Sequence, residues 1–331
     1  MIRKAGAPAI GLAAIAALVL IVNPRSLGAA LSHLNLIVLP LGLILIAVFY
    51  LLQGLRWHFL LRETGSRLEV GDSLLLNMGG QAVTAILPLG DLTRAALYSE
   101  ATGAEFGAAA ATVTVQELSY TLILVLVAAP ALLEFHLGVP ALAATLAGVL
   151  AVLAILSVSP VFHAVNGTLA RLPILSPLAP HVEALRRQTV GLLRRPRTLA
   201  GSLLDLTRAA TMVSLLWLIL HGLRPGAIGW EDAALVLAVS YVGGAVSLIP
   251  GGAGANEASV VGMLVLLGLD PAAAGAAALL QRVLVTGVAT LAGLAAYGAA
   301  RRRFHLAGLR LFEGDRPQSP RRERGGWQKV A

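Results

Sequence analysis

Six long apolar stretches divide the chain, and each is long enough to cross a membrane as a helix. A helix needs about 20 residues to span a hydrocarbon core of about 30 Å. Charged residues lie inside only three of these stretches, namely Glu117, Asp205 with Arg208, and Arg282. The pattern therefore predicts six membrane-spanning helices, at Ala5–Val22, Leu34–Leu55, Phe106–Leu133, Leu137–Val158, Thr198–Leu220 and Pro271–Ala300.

Two further apolar stretches are interrupted by glycine and proline. Ser73–Gly90 contains Gly79-Gly80 and Pro88-Leu89-Gly90. Ala233–Asn256 contains Gly243-Gly244 followed by the run Pro250–Gly254. Glycine and proline at this density break a helix. Broken backbone at membrane depth is tolerated only where protein or a water-filled cavity surrounds it. Both stretches are therefore predicted to be re-entrant hairpins in an all-α, polytopic membrane protein.

Composition supports a membrane protein. Hydrophobic residues make up 57% of the 331 residues and charged residues 13%, about half of the roughly 25% of a soluble domain. This excludes an ordinary soluble enzyme and a disordered chain. Cysteine is absent, which excludes disulfides and thiolate metal sites.

The basic residues predict the orientation. With six spans, 21 of the 25 lysines and arginines fall on one side, which also holds both termini. By the positive-inside rule this side is cytoplasmic, in a cell (inner) membrane. Because Ala5–Val22 ends without a small-x-small cleavage site, it is interpreted as a retained helix. The basic segment 159–197 is predicted to lie on the anionic inner leaflet.

The two halves of the chain resemble each other. Offsets of 164, 162 and 165 residues relate Gly79-Gly80 to Gly243-Gly244, Ile86-Leu87-Pro88 to Leu248-Ile249-Pro250, and Gln116-Glu117 to Gln281-Arg282. We expect inverted repeats over about 1–136 and 137–300 in one membrane domain, 1–300, followed by a disordered basic tail, 301–331. Such repeats are typical of secondary transporters. Chance similarity between two glycine- and alanine-rich stretches remains the alternative.

Glu117 and Arg282 are the clearest candidate functional residues. A charge at the centre of a span costs about 2.5–3.5 kcal/mol on insertion scales, so it usually has a role. The two residues lie at matching depths in matching helices, with opposite charge. We expect them to face each other or a shared polar cavity, and a purely structural ion pair is the alternative.

The residues after the first break suggest an anion site. Asp91 and Arg94 are spaced i, i+3 and would share a helix face. Arg94 can bind a phosphate in a bidentate way, while Asp91 orients it or caps the helix. The alternative is an N-cap followed by an arginine that extends to the lipid headgroups.

The residues after the second break suggest a second part of this site. The glycines there, including Gly252 and Gly254, would free backbone N–H groups at a helix start, where anions are attracted. Asn256 follows, and Glu257 is either a proton carrier or a cap partner. The alternative is a tight turn that requires glycine, with a solvated acid beside it.

Other polar residues in the apolar segments have two interpretations. They either line a polar path or bond neighbouring helices. Asp205 and Arg208 are predicted to pair within their own helix, and Arg56-Trp57-His58 to anchor a span at the interface. The candidates for the path are Asn77, Gln81, Gln116, Gln281, Asp205 and Arg208.

In order, these motifs resemble the lysylphosphatidylglycerol synthase transmembrane region, or flippase-like domain. The resemblance rests on Pro88-Leu89-Gly90-Asp91-x-x-Arg94, Glu117, Ile249-Pro250-Gly251-Gly252-x-Gly254-x-x-Glu257 and Arg282, without the C-terminal synthase domain. It implies an inner-membrane protein whose relatives translocate anionic or lipid-linked molecules between leaflets.

We therefore expect a lipid flippase that is not an enzyme, with a lipid phosphate held by Arg94, Arg282 and the helix start after Gly254. Its expected partners are anionic membrane lipids, together with either further copies of the chain or a lipid-biosynthesis protein. No catalytic constellation, metal motif or cofactor site is present in the sequence, and nucleic acid is not an expected partner. The alternative is a non-transporting membrane subunit of an envelope-lipid or hopanoid biosynthetic complex.

Overall fold

The computed structural model describes residues 24–32, 34–84, 90–134, 186–187, 189–246 and 252–306. All the regular elements in these ranges are helical. The predicted spans Ala5–Val22 and Leu137–Val158 lie outside the described residues. So do most of the basic segment 159–197 and the tail from residue 307.

The helices are named in chain order. They are α1 (Pro24–Ser32), α2 (Val38–Glu63), α3 (Val70–Thr84), α4 (Thr93–Thr102, after a 3₁₀ turn at Gly90–Leu92), α5 (Phe106–Glu134), α6 (Pro196–Ala200), α7 (Ser202–Leu223), α8 (Trp230–Val246), α9 (Ala255–Leu266), α10 (Pro271–Arg282) and α11 (Val288–Phe304). A π-helical segment, Val283–Gly287, joins α10 to α11.

Four helical segments are long and apolar enough to cross a membrane: Val38–Glu63, Phe106–Glu134, Pro196–Leu223 and Pro271–Phe304. Each coincides with one of the predicted spans. Their outer faces carry exposed large side chains such as Ile44, Leu126, Leu203 and Leu291, as expected of helices that contact lipid.

Two of these helices continue past their predicted ends. α2 runs on from Leu55 to Glu63, and α11 runs on to Phe304, so residues 301–304 are helical and not part of a disordered tail. The apolar pattern missed both extensions because it stops at charged residues. In the structure two of the charges beyond these points have partners on neighbouring helices, Arg56 with Asp205 and Arg303 with Asp72.

The expectation that the glycine pairs break a helix is wrong, because Gly79-Gly80 lies inside α3 and Gly243-Gly244 inside α8. The prolines of the two stretches, Pro88 and Pro250, lie outside the described residues. The first limb, α3, ends at Thr84 and the chain resumes as helix at Gly90, while α8 ends at Val246 and α9 begins at Ala255. In each hairpin the two limbs pack against each other. Glycine allows the contact, since a Cβ on Gly80 would lie 2.8 Å from the Cβ of Arg94. Gly244 likewise faces Gly252 and Asn256.

The hairpins and the helices that follow them pack crosswise. α11, after the second hairpin, lies on α3 of the first, and α5, after the first hairpin, lies on α8 of the second. Gly293 faces the backbone of Ala82, and the rings of Tyr120 and Tyr241 meet at 5.2 Å. An internal repeat would produce this exchange, although the inverted orientation and the total number of spans remain predictions.

Glycine at the α3–α11 contact leads to a first testable prediction. A Cβ on Gly293 would lie 2.5 Å from the backbone nitrogen of Ala82, whereas a Cβ on Gly298 of the same helix would meet nothing within 4 Å. We expect Gly293→Ala to lower the free energy of unfolding by about 1–3 kcal/mol through overpacking. Gly298→Ala should raise it by about 0.5–1 kcal/mol because alanine favours the helix. Thermal unfolding of both variants in detergent checks this, and equal stabilities would contradict the close packing.

Candidate functional site

A buried ion pair joins α2 to α7. The Arg56 Nε donates to Asp205 Oδ2 at 2.9 Å, and its Nη2 donates to the carbonyl oxygen of Thr198 at 2.9 Å. The side chains of Arg56 and Asp205 are 1% and 0% exposed. The predicted intrahelical pair of Asp205 with Arg208 is therefore wrong, because Asp205 is bound by an arginine from another helix.

The prediction that Arg56-Trp57-His58 anchors a span at the interface is also wrong. All three side chains are buried. Trp57 Nε1 donates to Thr112 Oγ1 at 2.8 Å, and His58 Nδ1 lies 2.9 Å from Ser73 Oγ. An arginine and a tryptophan at the end of an apolar run resemble an interface in sequence, but here the helix continues and turns them towards α3, α5 and α7.

Three donors from three different helices converge on Glu117 of α5. Arg94 Nη2 of α4 donates to Oε1 at 2.8 Å, Tyr241 Oη of α8 donates to Oε2 at 3.2 Å, and Arg208 Nη2 of α7 approaches Oε2 at a longer 3.5 Å. The Arg94 and Arg208 side chains are 0% and 2% exposed, whereas Glu117 is 21% exposed. Glu117 is therefore the accessible member of a buried charge cluster, which we call the two-arginine site (Arg94, Arg208 and Glu117).

A network of amides holds Arg94 from the other side. Its Nη1 donates to Asn77 Oδ1 at 2.9 Å. Asn77 and Gln81 each donate to Gln53 Oε1 at 3.3 Å, and Gln116 donates to the Gln53 carbonyl oxygen at 2.8 Å. Asn77, Gln81 and Gln116 thus bond neighbouring helices, the second of the two interpretations. Gln53 was missed, although a lone glutamine inside an apolar span was a signal for it.

The two arginines have more donors than their partners accept. Arg94 Nε and both Nε and Nη1 of Arg208 are buried without a hydrogen-bond partner. The Arg208 guanidinium carbon lies 4.0 Å from the centre of the Tyr120 ring and 4.7 Å from that of Phe49, so both rings support the cation. Such a site can accept an anion with more oxygens than one carboxylate provides.

Asp91 does not have the predicted role. The N-cap residue of α4 is Leu92, with no side-chain capping bond, and Arg94 is bound by Asn77 and Glu117. Asp91 is partly exposed in the 3₁₀ turn that precedes α4, within electrostatic reach of Glu117, Arg94 and Arg208. It therefore lies beside the site without orienting the arginine.

A second ion pair joins α9 to α10. Arg282 Nη1 donates to Glu257 Oε1 at 3.0 Å, and Glu257 Oε2 accepts the backbone N–H of Gly254. Glu257 is thus the cap partner, and this N–H of Gly254 is used within the protein and is not left for an anion. Glu117 and Arg282 were expected to face each other or a shared polar cavity. In the ion pairs of the described residues each is bound instead to the hairpin that precedes its own helix.

A small polar cavity of about 40 Å³ lies beside the second pair. Asn256, Gln281, Arg282 and Thr286 are among the residues that line it, and the buried Asn256 Oδ1 has no hydrogen-bond partner. The volume is of the order of one water molecule, too small for a lipid headgroup. Gly252 has a positive φ of 61° and packs on Gly244, as the tight-turn alternative requires.

The π-helical segment begins directly after Arg282. The Tyr50 hydroxyl of α2 donates to the carbonyl oxygen of Val285 within it, at 3.2 Å. Short π segments inside long helices occur frequently at functional sites. This one ties the region of the second pair to the same span, α2, that carries Gln53 and Arg56.

The two ion pairs correspond in position but have reversed charge. Arg94 with Glu117 in the first half matches Glu257 with Arg282 in the second, at offsets of 163 and 165 residues. In each half the pair connects the second limb of a hairpin to the next long helix. Within the described residues, no three histidine, aspartate or glutamate side chains converge as metal ligands would.

Apolar helices long enough to span a bilayer, packed around buried ion pairs, define a multi-pass membrane protein. The chain belongs to the family described as the lysylphosphatidylglycerol synthase TM region, whose model matches residues 8–293. The resemblance stated from the motifs is thereby confirmed, and membership indicates a membrane protein of lipid metabolism or transport. The C-terminal synthase domain is not detected. A search of curated proteins found no match.

The buried pair at Arg56 leads to a second prediction. Arg56→Gln leaves the Asp205 charge buried without its partner, which should lower the free energy of unfolding by about 3–5 kcal/mol. The matched control is Arg224→Gln, whose pair with Asp270 is exposed, so about 0–1 kcal/mol is expected. Unfolding of purified protein in detergent measures both, and similar losses in the two variants would contradict the structural importance of the Arg56 pair.

Proposed function

We propose that this protein moves an anionic phospholipid or lipid-linked molecule between the leaflets of the inner membrane, with both termini in the cytoplasm. The family to which the chain belongs indicates lipid metabolism or transport, and this supports a lipid as the substrate. In this proposal the protein is not an enzyme. It provides a polar route for the headgroup, while the acyl chains remain in the lipid along the exposed leucine faces of the spans.

The observation that carries the proposal is the surplus of buried guanidinium donors at the two-arginine site. Three N–H-bearing nitrogens of Arg94 and Arg208 have no partner. Phosphate oxygens are the acceptors that arginine binds best, through charge-assisted and bidentate hydrogen bonds. A lipid phosphate would therefore satisfy donors that the protein leaves unfilled.

The proposal assigns different parts to the two ion pairs. Arg94 and Arg208 hold the phosphate, in place of the combination of Arg94, Arg282 and Gly254 expected from sequence. The Glu257–Arg282 pair fastens the second hairpin to α10 and has to open if that hairpin moves. Alternating movement of two halves around a central site is the usual mechanism of transporters built from repeats.

Reconstitution in liposomes provides the third prediction. With fluorescent phosphatidylglycerol, the full chain should accelerate transfer between leaflets, and Arg208→Gln should slow it by at least about tenfold, the effect of losing one charge-assisted contact. Arg224→Gln, on an exposed pair, should transfer at the rate of the unsubstituted protein. Fluorescent phosphatidylcholine should move more slowly because it carries no net negative charge.

Two results would contradict the proposal. One is a transfer rate equal to that of protein-free liposomes, and the other is an unchanged rate in Arg208→Gln. Absence of transfer together with co-purification of a lipid-synthesising enzyme would favour the non-transporting subunit instead.

A further inference from the structure

We propose that Glu117 occupies the place that the phosphate of an anionic lipid takes between Arg94 and Arg208. The carboxylate is then an internal competitor of the ligand, and lipid binding requires its displacement. This inference rests on the proposed function, because it names the ligand chemistry of the same site: a phosphodiester with one negative charge.

The geometry of the carboxylate supports this assignment. Oε1 accepts from Arg94, while Oε2 accepts from Tyr241 and faces Arg208. A phosphodiester also presents two charged oxygens, which can bridge two guanidinium groups in the same way, and it has ester oxygens in addition. The donors around Glu117 are therefore arranged as they would be around a phosphate.

The fit of Glu117 to this place is incomplete. Its bond to Arg94 has the 2.8 Å length of a charge-assisted hydrogen bond, but Arg208 remains at 3.5 Å. Arg208 also keeps two nitrogens without a partner and Arg94 keeps one, all buried. Unpartnered donors in a buried site cost free energy, so a larger oxyanion that reaches them would bind with a gain.

Charge balance favours displacement over addition. Arg94 and Arg208 already face the carboxylate of Glu117, and Asp91 is a second acidic side chain within electrostatic reach of both arginines. The neighbouring Arg56 and Asp205 neutralise each other. An anion added beside Glu117 would be repelled by its carboxylate, whereas exchange of one monoanion for another leaves the total charge of the site unchanged.

The arginines are held independently of Glu117, so the site persists when the carboxylate leaves. Arg208 is supported by the rings of Phe49 and Tyr120, and Arg94 by Asn77. Glu117 is the most exposed of the three side chains of the two-arginine site. A ligand that approaches from the protein surface therefore reaches Glu117 before it reaches either arginine. Preorganised donors of this kind reduce the entropic cost of binding.

The test is a binding titration of the purified full chain in detergent with short-chain phosphatidylglycerol. Glu117→Gln removes the competing charge and should tighten binding by about tenfold, the effect of one charge-assisted bond. The control, Glu134→Gln, is the same change at the exposed end of the same helix and should leave the affinity unchanged. Arg208→Lys keeps the positive charge but loses the planar guanidinium group, which can form two parallel hydrogen bonds. It should weaken binding both in the unsubstituted chain and in Glu117→Gln.

Short-chain phosphatidylcholine and inorganic phosphate are titrated in parallel. Tighter binding of phosphatidylglycerol in Glu117→Gln supports the proposal. Unchanged or weaker binding overturns it, as does a gain for inorganic phosphate alone, which would assign a free-phosphate site. If the glutamine variant does not fold, Glu117→Asp carries the test, because its shorter side chain retracts the carboxylate and should also tighten binding.

Binding and transport are measured separately, so the two proposals can fail separately. Tighter lipid binding in Glu117→Gln, together with no transfer in liposomes by the unsubstituted chain, would refute transport and keep the site. Normal transfer with unchanged affinity in Glu117→Gln would refute the competitor role and keep transport.

Discussion

The guanidinium groups of Arg56, Arg94 and Arg208 are almost completely buried, and the surrounding structure depends on the cost of that burial. Removing a charge from water costs several kcal/mol unless opposite charges and hydrogen bonds compensate for it. Here the compensation comes from helices distant in sequence: Asp205 of α7 for Arg56 of α2, and Glu117 of α5 for both Arg94 of α4 and Arg208 of α7. The same bonds that neutralise the arginines thereby fix how α2, α4, α5 and α7 pack.

The two hairpins use the same construction with opposite charge, but the results are not equivalent. In the second half Glu257 is fully engaged, since one oxygen binds Arg282 and the other caps α9 at Gly254. In the first half the acid lies on the long helix, and it must serve two arginines and a tyrosine. The first pair therefore retains unused donors, while both carboxylate oxygens of the second are bound within the protein. This asymmetry is why ligand binding is assigned to the first half and a fastening role to the second.

Patterns along the sequence predicted the elements and failed on the partners. Both glycine pairs were expected to break a helix, but they lie inside α3 and α8. The four spans within the described residues and the choice of Glu117 and Arg282 as candidate residues followed from apolar run length and isolated charge. The pairing did not, because spacing reveals only neighbours on one helix, such as Asp205 and Arg208. The ion-pair partners found in the structure lie on different helices. Which residues pair depends on how the helices pack, and a local sequence pattern does not reveal this. The burial of Arg56 was missed for the same reason, since a charge that ends an apolar run resembles an interface until its partner Asp205 is seen.

The glycine pairs contribute both to the local sequence pattern and to the packing between helices. In sequence Gly79-Gly80 acts as a helix breaker, yet both residues lie inside α3, and Gly80 is where the backbone of Arg94 comes closest. A side chain at Gly80 would push α4 away from α3, and Arg94 would lose Asn77 before it lost Glu117, since Asn77 is on α3 itself. Gly79 faces the backbone of Tyr297 on α11 in the same way. The Gly79-Gly80 pair therefore fixes the position of Arg94 and allows α11 to pack closely against α3. The location of the two-arginine site thus depends on close backbone contact as much as on charge.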